Sequence, residues 1–219
     1  MLGFAQLEAQ ARQRQLTISA GLAPPALAHA PNLPKGTATL LLLSPDEPAF
    51  WPRFITSAEF NDGAQDPMDR WSNRVISEWA NAIGAQPLFP FSGPPYHPFV
   101  QWALASGHAH GSPLGMLVHA KAGLFLSFRG AIALPYEIKL PSPTSRPCDT
   151  CKDQPCLTAC PVSAIGRDVY DTVTCRTYLK TNTTNDCLTS GCRARRSCPS
   201  GKKHGRLDAH SAYHMTHFL

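Results

Sequence analysis

Cysteine is absent from the first 147 of the 219 residues, and charged residues make up only 16% of the chain. Long apolar runs are also missing: the clearest, Leu40 to Leu43, has the length of a strand, whereas a membrane-spanning helix needs roughly 20 residues. The first fifteen residues contain Glu8, Arg12 and Arg14 instead of the apolar core of a secretory signal. We therefore expect a cytoplasmic protein without a membrane span. A hydrophobic fraction of 43% and a net charge of only +5 exclude a wholly disordered chain.

Charge and proline divide the chain into two parts. Residues 1–145 contain nine basic and nine acidic residues, whereas residues 146–219 contain eleven and six, which is the whole net charge of +5. The stretch PSPTSRP, Pro141 to Pro147, has the composition of an interdomain connector. The sequence therefore predicts two domains, at 1–145 and 146–219.

The first of these domains has the patterns of an α/β protein. The run from Gly36 to Leu43 predicts a strand buried on both faces. Apolar residues at helical spacing predict a helix from Met68 to Ala85. The stretch from Leu114 to Leu134 predicts two strands joined near residues 121–123. Together these patterns indicate an α/β (α+β) domain with a mixed sheet.

All eight cysteines lie between Cys148 and Cys198. The segment Cys148 to Pro161 reads CDTCKDQPCLTACP, which is C-x2-C-x4-C-x3-C-P. Bacterial ferredoxins use C-x2-C-x2-C-x3-C-P, in which the fourth cysteine serves the other of two clusters. The gap that is two residues longer here requires a wider loop. Four further cysteines follow, and the last is again followed by proline, Pro199.

Four plus four thiolates match two [4Fe-4S] clusters in a small ferredoxin-like domain. The crossover pattern predicts that the first three cysteines share one cluster with the last, and that the fourth shares the other with the remaining three. The first cluster would then use Cys148, Cys151, Cys156 and Cys198. The second would use Cys160, Cys175, Cys187 and Cys192.

The cysteine-rich segment has three other interpretations, two that concern its cysteines and one that concerns its basic residues. The same thiolates could bind two zinc ions. The cysteines could also form disulfides, although cysteines confined to one segment of a cytoplasmic chain favour metal chemistry. The basic residues among the last cysteines would suit reduced clusters, because positive charge stabilises them. They could also form a nucleic-acid patch, but no aromatic stacking platform accompanies them, so we do not expect nucleic acid as a partner.

The cysteine order also resembles the C-terminal half of the epoxyqueuosine reductase family. The resemblance rests on the CxxC…C…CP run, on Cys175 to Leu179 (CRTYL), on Ala164-Ile165 and on the final cysteines ending in Cys-Pro. The stretch Ser112 to Ile132 is similar to the strand pair that precedes the clusters in that family. The resemblance implies a cobalamin-binding α/β module that receives electrons from two clusters.

Under that resemblance, glycines would allow the backbone to approach a flat corrin ring closely, although they are equally typical of hairpins. The candidate cobalamin contacts are Gly115, His119, Gly123 and Gly130. The family's glycine-lysine-asparagine run is absent at Leu114 to Met116. No position aligns with its catalytic acid, so the catalytic residues stay unknown and queuosine chemistry is not predicted.

The last sixteen residues contain four histidines, His204, His210, His214 and His217, of which the last three would share a helical face. They favour a packed or solvated terminal helix over a metal site. The main hypothesis is an oxidoreductase-like iron–sulfur protein that takes electrons from a redox partner protein and passes them to a site in residues 1–145, with bound cobalamin as the acceptor. The alternatives are a ferredoxin-like carrier without its own substrate and a zinc-binding interaction module.

Overall fold

The computed structural model describes all residues from Met1 to Leu219. Its nine helices are α1 (Phe4–Gln13), α2 (Phe50–Phe54), α3 (Ala58–Asn61), α4 (Pro67–Ala82), α5 (Phe99–Ala105), α6 (Thr172–Thr181), α7 (Asp186–Ser190), α8 (Arg193–Arg196) and α9 (Asp208–Phe218). Its eight strands are β1 (Leu16–Leu22), β2 (Thr39–Pro45), β3 (Gln86–Leu88), β4 (Ala109–Gly111), β5 (Leu117–His119), β6 (Gly130–Leu134), β7 (Ile165–Gly166) and β8 (Val169–Tyr170). None of the helices is long and apolar enough to cross a membrane.

The chain forms two compact units. The first unit comprises Met1–His108 and Ser127–Thr144, and the second comprises Ala109–Leu126 and Ser145–Leu219. The division at residues 144 and 145 coincides with the proline-rich connector. The sequence analysis placed residues 109–126 in the first domain, whereas they belong to the second unit. The alternation of apolar residues in this segment does not indicate which of the two cores it packs into.

The first unit contains a four-stranded sheet in the order β1-β2-β6-β3. Every pairing is antiparallel, so the mixed sheet expected from the sequence is wrong, and the unit is an α+β fold. β2 lies in the middle of the order between β1 and β6, and all seven of its residues are buried. The prediction of a doubly buried strand in this region is therefore confirmed.

Two local expectations differ from the structure. The first concerns the start of the chain: the spacing of Phe4, Leu7 and Ala11 predicts a short helix over the first fifteen residues, with Leu16 on the same stripe, whereas Leu16 is the first residue of β1. The left-handed Gln15, with φ of 54°, ends the helical segment and starts the strand. The second difference is that the two strands expected between Leu114 and Leu134 do not pair with each other: β5 pairs with β4, whereas β6 lies between β2 and β3.

Aromatic side chains fill the space between the helices of the first unit. Phe50 of α2 stacks on Phe54 with ring centroids 5.7 Å apart and meets the edge of Trp71 at 5.2 Å. Trp79 of α4 is 1% exposed, and its indole N–H donates to Gln10 Oε1 of α1 at 2.8 Å. α4 matches the predicted helix closely, and the aromatics of this unit serve its core.

Gly130 at the start of β6 lies against a helix side chain. A Cβ added there would lie 2.7 Å from Ile76 Cδ1 and 3.1 Å from the carbonyl oxygen of Leu88. We expect Gly130→Ala to lower the free energy of unfolding by about 1–3 kcal/mol, the usual cost of overpacking. Urea titration followed by tryptophan fluorescence measures this unit alone, because all four tryptophans lie in it.

The double variant Gly130→Ala/Ile76→Val provides the control, because valine lacks the Cδ1 atom that the new methyl group meets. Ile76→Val by itself should cost about 0.5–1.5 kcal/mol. The double variant should therefore lose less free energy of unfolding than the sum of the losses in the two single variants. Strict additivity would show that the contact with Ile76 does not explain the effect.

Glu59 of α3 forms an ion pair with Arg74 of α4. Arg74 Nε lies 2.5 Å from Glu59 Oε1, and the carboxylate side chain is only 11% exposed. The hydrogen bond from Arg74 holds the pKa of Glu59 below its usual value of 4.5. Because the folded pKa is depressed, the stabilisation is fully present above pH 4.5 and is lost as the pH falls through the folded pKa.

We expect Glu59→Gln to lower the free energy of unfolding at pH 7 by about 1–2 kcal/mol. The difference from the parent should shrink as the pH approaches the folded pKa of Glu59. Glu78→Gln is the matched control, because the Glu78 side chain is 67% exposed and lies 3.9 Å from Arg74. An equal effect of the two substitutions at pH 7 would contradict the assignment.

Candidate metal centre

The second unit begins with the hairpin of β4 and β5, which ends in a tight turn. The backbone N–H of Gly123 donates to the carbonyl of His119 at 2.8 Å, and His119 N donates back to the Gly123 carbonyl at 3.0 Å. His119 Nδ1 accepts the backbone N–H groups of Lys121 and Ala122 at 3.3 and 3.2 Å. This turn fixes the segment that follows, Leu124 to Leu126.

Four cysteines line one cavity of the second unit, three from one motif and one from far along the chain: Cys148, Cys151, Cys156 and Cys198. The enclosed cavity is small, about 20 Å³, and lies within about 360 Å³ of empty space that is partly open to solvent. Val118 and Leu124 from the hairpin segment line the same cavity and belong to its apolar cluster. Residues 109–126 thus supply an apolar wall for this group of thiols, which we call the first thiol set.

Of the other four cysteines, Cys175 interacts electrostatically with each of the remaining three, and Cys187 interacts with Cys192. The pKa of Cys175 is raised to about 11, first by burial and then by the neighbouring sulfurs of Cys192, Cys160 and Cys187, in that order of effect. We call these four residues the second thiol set. Cys160, which follows Cys156 by four residues, interacts with this set, whereas Cys156 interacts with Cys198 and Cys148.

The remaining thiol shifts have the same origin. Burial raises the pKa of Cys148, Cys156 and Cys187 above the usual value of 9.0, and neighbouring sulfurs add to it. These thiols are therefore protonated at neutral pH when no metal is bound. Metal binding requires thiolates, so loading either set must release protons.

A carboxylate joins the two short helices that carry the end of the second thiol set. Asp186, beside Cys187, accepts from Arg193 Nε and from Arg196 Nη2, both at 2.6 Å. Arg196 Nε also donates to the carbonyl of Gly191 at 3.0 Å. These bonds hold the loop that separates Cys187 from Cys192 and place two guanidinium groups beside it.

The residues proposed as cobalamin contacts are divided between the units. Gly115, His119 and Gly123 belong to the second unit and Gly130 to the first. The close approach at Gly123 is to its own chain, because a Cβ there would lie 2.5 Å from Gly201 N. Gly130 packs against Ile76 instead of offering an open face, so the glycines serve turns and packing.

The C-terminal histidines form part of α9. His210 is fully buried, and its Nε2 lies 3.1 Å from Nε2 of His214. His217 Nδ1 lies 2.8 Å from the carbonyl oxygen of Tyr213, and the two rings are 4.1 Å apart. The expected terminal helix is present, and its histidines interact within it.

All eight cysteines are free thiols, which removes the disulfide interpretation for this structure. No group of three or more His, Cys, Asp or Glu side chains is close enough to hold a single metal ion. Sequence reasoning missed the hairpin segment as part of this centre. The only signal for it was the similarity of Ser112 to Ile132 to a strand pair that precedes clusters in another family.

The chain was also compared with known proteins. No family model matches it, and no curated protein or solved structure shows a significant similarity to it. The interpretation of the two thiol sets therefore depends on their own geometry and spacing.

Proposed function

We propose that the second unit is a ferredoxin-like module that binds two [4Fe-4S] clusters and transfers single electrons. One observation carries the proposal: the eight thiols fall into two interacting sets of four, and membership does not follow sequence order. Cys160 belongs with later cysteines, while Cys198 belongs with the first three. This exchange is the arrangement that two-cluster ferredoxins use.

The chemistry of the donors suits iron–sulfur clusters. Thiolates are the ligands of [4Fe-4S] clusters, and each cluster supplies a one-electron redox centre when bound. The first thiol set has an apolar wall formed by Leu114, Val118 and Leu124. Hydrogen bonds to Asp186 hold the guanidinium groups of Arg193 and Arg196 beside the second thiol set, and nearby positive charge favours the reduced, more negative cluster.

The electron acceptor is the second part of the proposal. We propose that a redox partner protein supplies electrons and that the acceptor is bound by the first unit, with a cobalamin as the first candidate. The candidate depends on the resemblance to epoxyqueuosine reductases and not on the glycines, which serve turns and packing. Co-elution of hydroxocobalamin with the reduced protein and a change in the corrin spectrum are the expected results. If the protein does not retain the corrinoid, cobalamin is rejected as the acceptor, and the proposal that the protein carries electrons is unaffected.

Elemental analysis tests the cluster proposal directly. The protein is purified without oxygen, and iron, acid-labile sulfide and zinc are measured per chain. We expect about eight irons and eight sulfides, because each cubane holds four of each. One or more zinc ions per chain without sulfide would overturn the proposal in favour of a zinc-binding module.

A further inference from the structure

A polar cleft of the first unit lies outside the thiol sets, between helices α1, α2 and α4. Its volume of about 440 Å³ falls in the range of small-molecule pockets, about 300–1,000 Å³. The side chains that matter for its chemistry are Arg14, Arg53, Ser57, Trp71, Arg74 and Glu78.

The cleft carries an excess of positive charge. Three guanidinium groups and one carboxylate line it, and the carboxylate of Glu59, which pairs with Arg74, leaves a surplus of one positive charge. Arg74 is already paired with Glu59 and lies 3.9 Å from Glu78. Arg53 forms no ion pair and donates no hydrogen bond to the protein. A cation that the fold does not use is thus present at the edge of a cavity.

Contacts with the protein fix the Arg14 side chain but use only one of its N–H donors. Its Nη1 donates to the carbonyl of Gln10 at 2.8 Å, and its guanidinium carbon lies 5.4 Å from the centre of the Trp79 ring. The remaining N–H groups make no hydrogen bond within the protein. A guanidinium fixed in this way retains the planar set of donors that phosphate oxygens accept.

Two neutral donors add to the cleft. Ser57 Oγ accepts the backbone N–H of Phe60 at 3.3 Å, so its hydroxyl proton is still available. Trp71 is 3% exposed, and its indole N–H donates to no group of the protein, whereas those of Trp79 and Trp102 each have a partner. The indole nitrogen can be reached from the cleft, because it is not one of the buried atoms that lack a partner. A bound ligand oxygen could therefore accept from it.

We propose that this cleft binds the phosphate group of a small phosphate monoester. Arg14 and Arg53, the two guanidiniums of the cleft without a carboxylate partner, match the two charges of a phosphate dianion, and its three oxygens can accept from guanidinium, hydroxyl and indole donors together. A carboxylate offers only two oxygens and one charge. The remaining cleft volume leaves space for a sugar-sized group.

Titration calorimetry with the holoprotein tests the proposal. The probes are ribose 5-phosphate, inorganic phosphate, ribose and succinate. We expect ribose 5-phosphate to bind most tightly, inorganic phosphate more weakly, and ribose and succinate not at all. Tryptophan fluorescence should change on binding, because Trp71 lines the cleft.

Arg53→Ala should weaken the binding of ribose 5-phosphate at least tenfold, and Arg53→Lys should be intermediate, because lysine lacks the planar fork. Lys35→Ala is the matched control: it removes one positive charge from an exposed position of the same unit outside the cleft. It should leave binding unchanged. Iron and sulfide content should be the same in all three variants, so this test is independent of the cluster proposal.

Three results would overturn the proposal. The first is the absence of ribose 5-phosphate binding at millimolar concentration. The second is an equal loss of affinity in Lys35→Ala and Arg53→Ala, which would indicate general charge attraction. The third is displacement of the sugar phosphate by a single-stranded oligonucleotide at much lower concentration, which would assign the cleft to a nucleic-acid backbone.

Discussion

Replacing Cys198 with serine should halve the metal content of the protein. Iron should fall from about eight to about four per chain, with sulfide falling in parallel, since each cubane contains four of each. Cys198 is 7% exposed and lines the cavity of the first thiol set, and the chain has no cysteine outside the two sets that could replace it. Anaerobic purification followed by iron and sulfide analysis measures the effect. Cys187→Ser is the matched variant for the second set and should leave the other four irons.

Double variants decide which cysteines share a cluster. Cys148→Ser/Cys198→Ser removes two members of one proposed set and should still retain about four irons. Cys160→Ser/Cys198→Ser removes one member of each set and should retain almost none. If the second double variant instead kept half of the iron, Cys160 and Cys198 would share a cluster and the crossover assignment would be wrong.

A methyl group at Gly123 should disrupt the first thiol set more than any other small substitution in the second unit. The φ of Gly123 is 54°, and an added Cβ would lie 2.5 Å from Gly201 N and 3.0 Å from the sulfur of Cys198. Backbone atoms cannot yield as a flexible side chain does, so the loop that carries Cys198 must move. We expect Gly123→Ala to lose about four irons per chain while the second cluster is retained.

Gly115→Ala is the control for this substitution. Gly115 also has a positive φ, 72°, but nothing lies within 4 Å of its Cβ position. Both alanines therefore carry a similar backbone strain of about 1–2 kcal/mol, and only the alanine at Gly123 meets the loop. Equal iron contents in the two variants would show that contact with the Cys198 loop is unimportant.

The predictability of the first unit varied with the length and regularity of each pattern. Helix α4 and the buried strand β2 were predicted because their apolar residues follow a clear period over many positions. Strand β1 was missed because Leu16 also fits the stripe of the preceding helix, and only the left-handed Gln15 separates the two. The antiparallel order of the sheet depends on pairings between residues far apart, such as Leu40 with Ala133. No local pattern contains that information.

The cysteine-free opening of the chain and the eight cysteines after it were the features that the sequence determined by itself. Thiol spacing is a local property, so C-x2-C and Cys-Pro are enough to identify candidate ligands and to predict a crossover. Tertiary structure decided what surrounds them. Residues 109–126 belong to the second unit and form an apolar wall beside Cys198, because Val118 and Leu124 are buried in the core of that unit. Burial in that core depends on long-range packing, and the alternation of apolar residues does not specify which core they join.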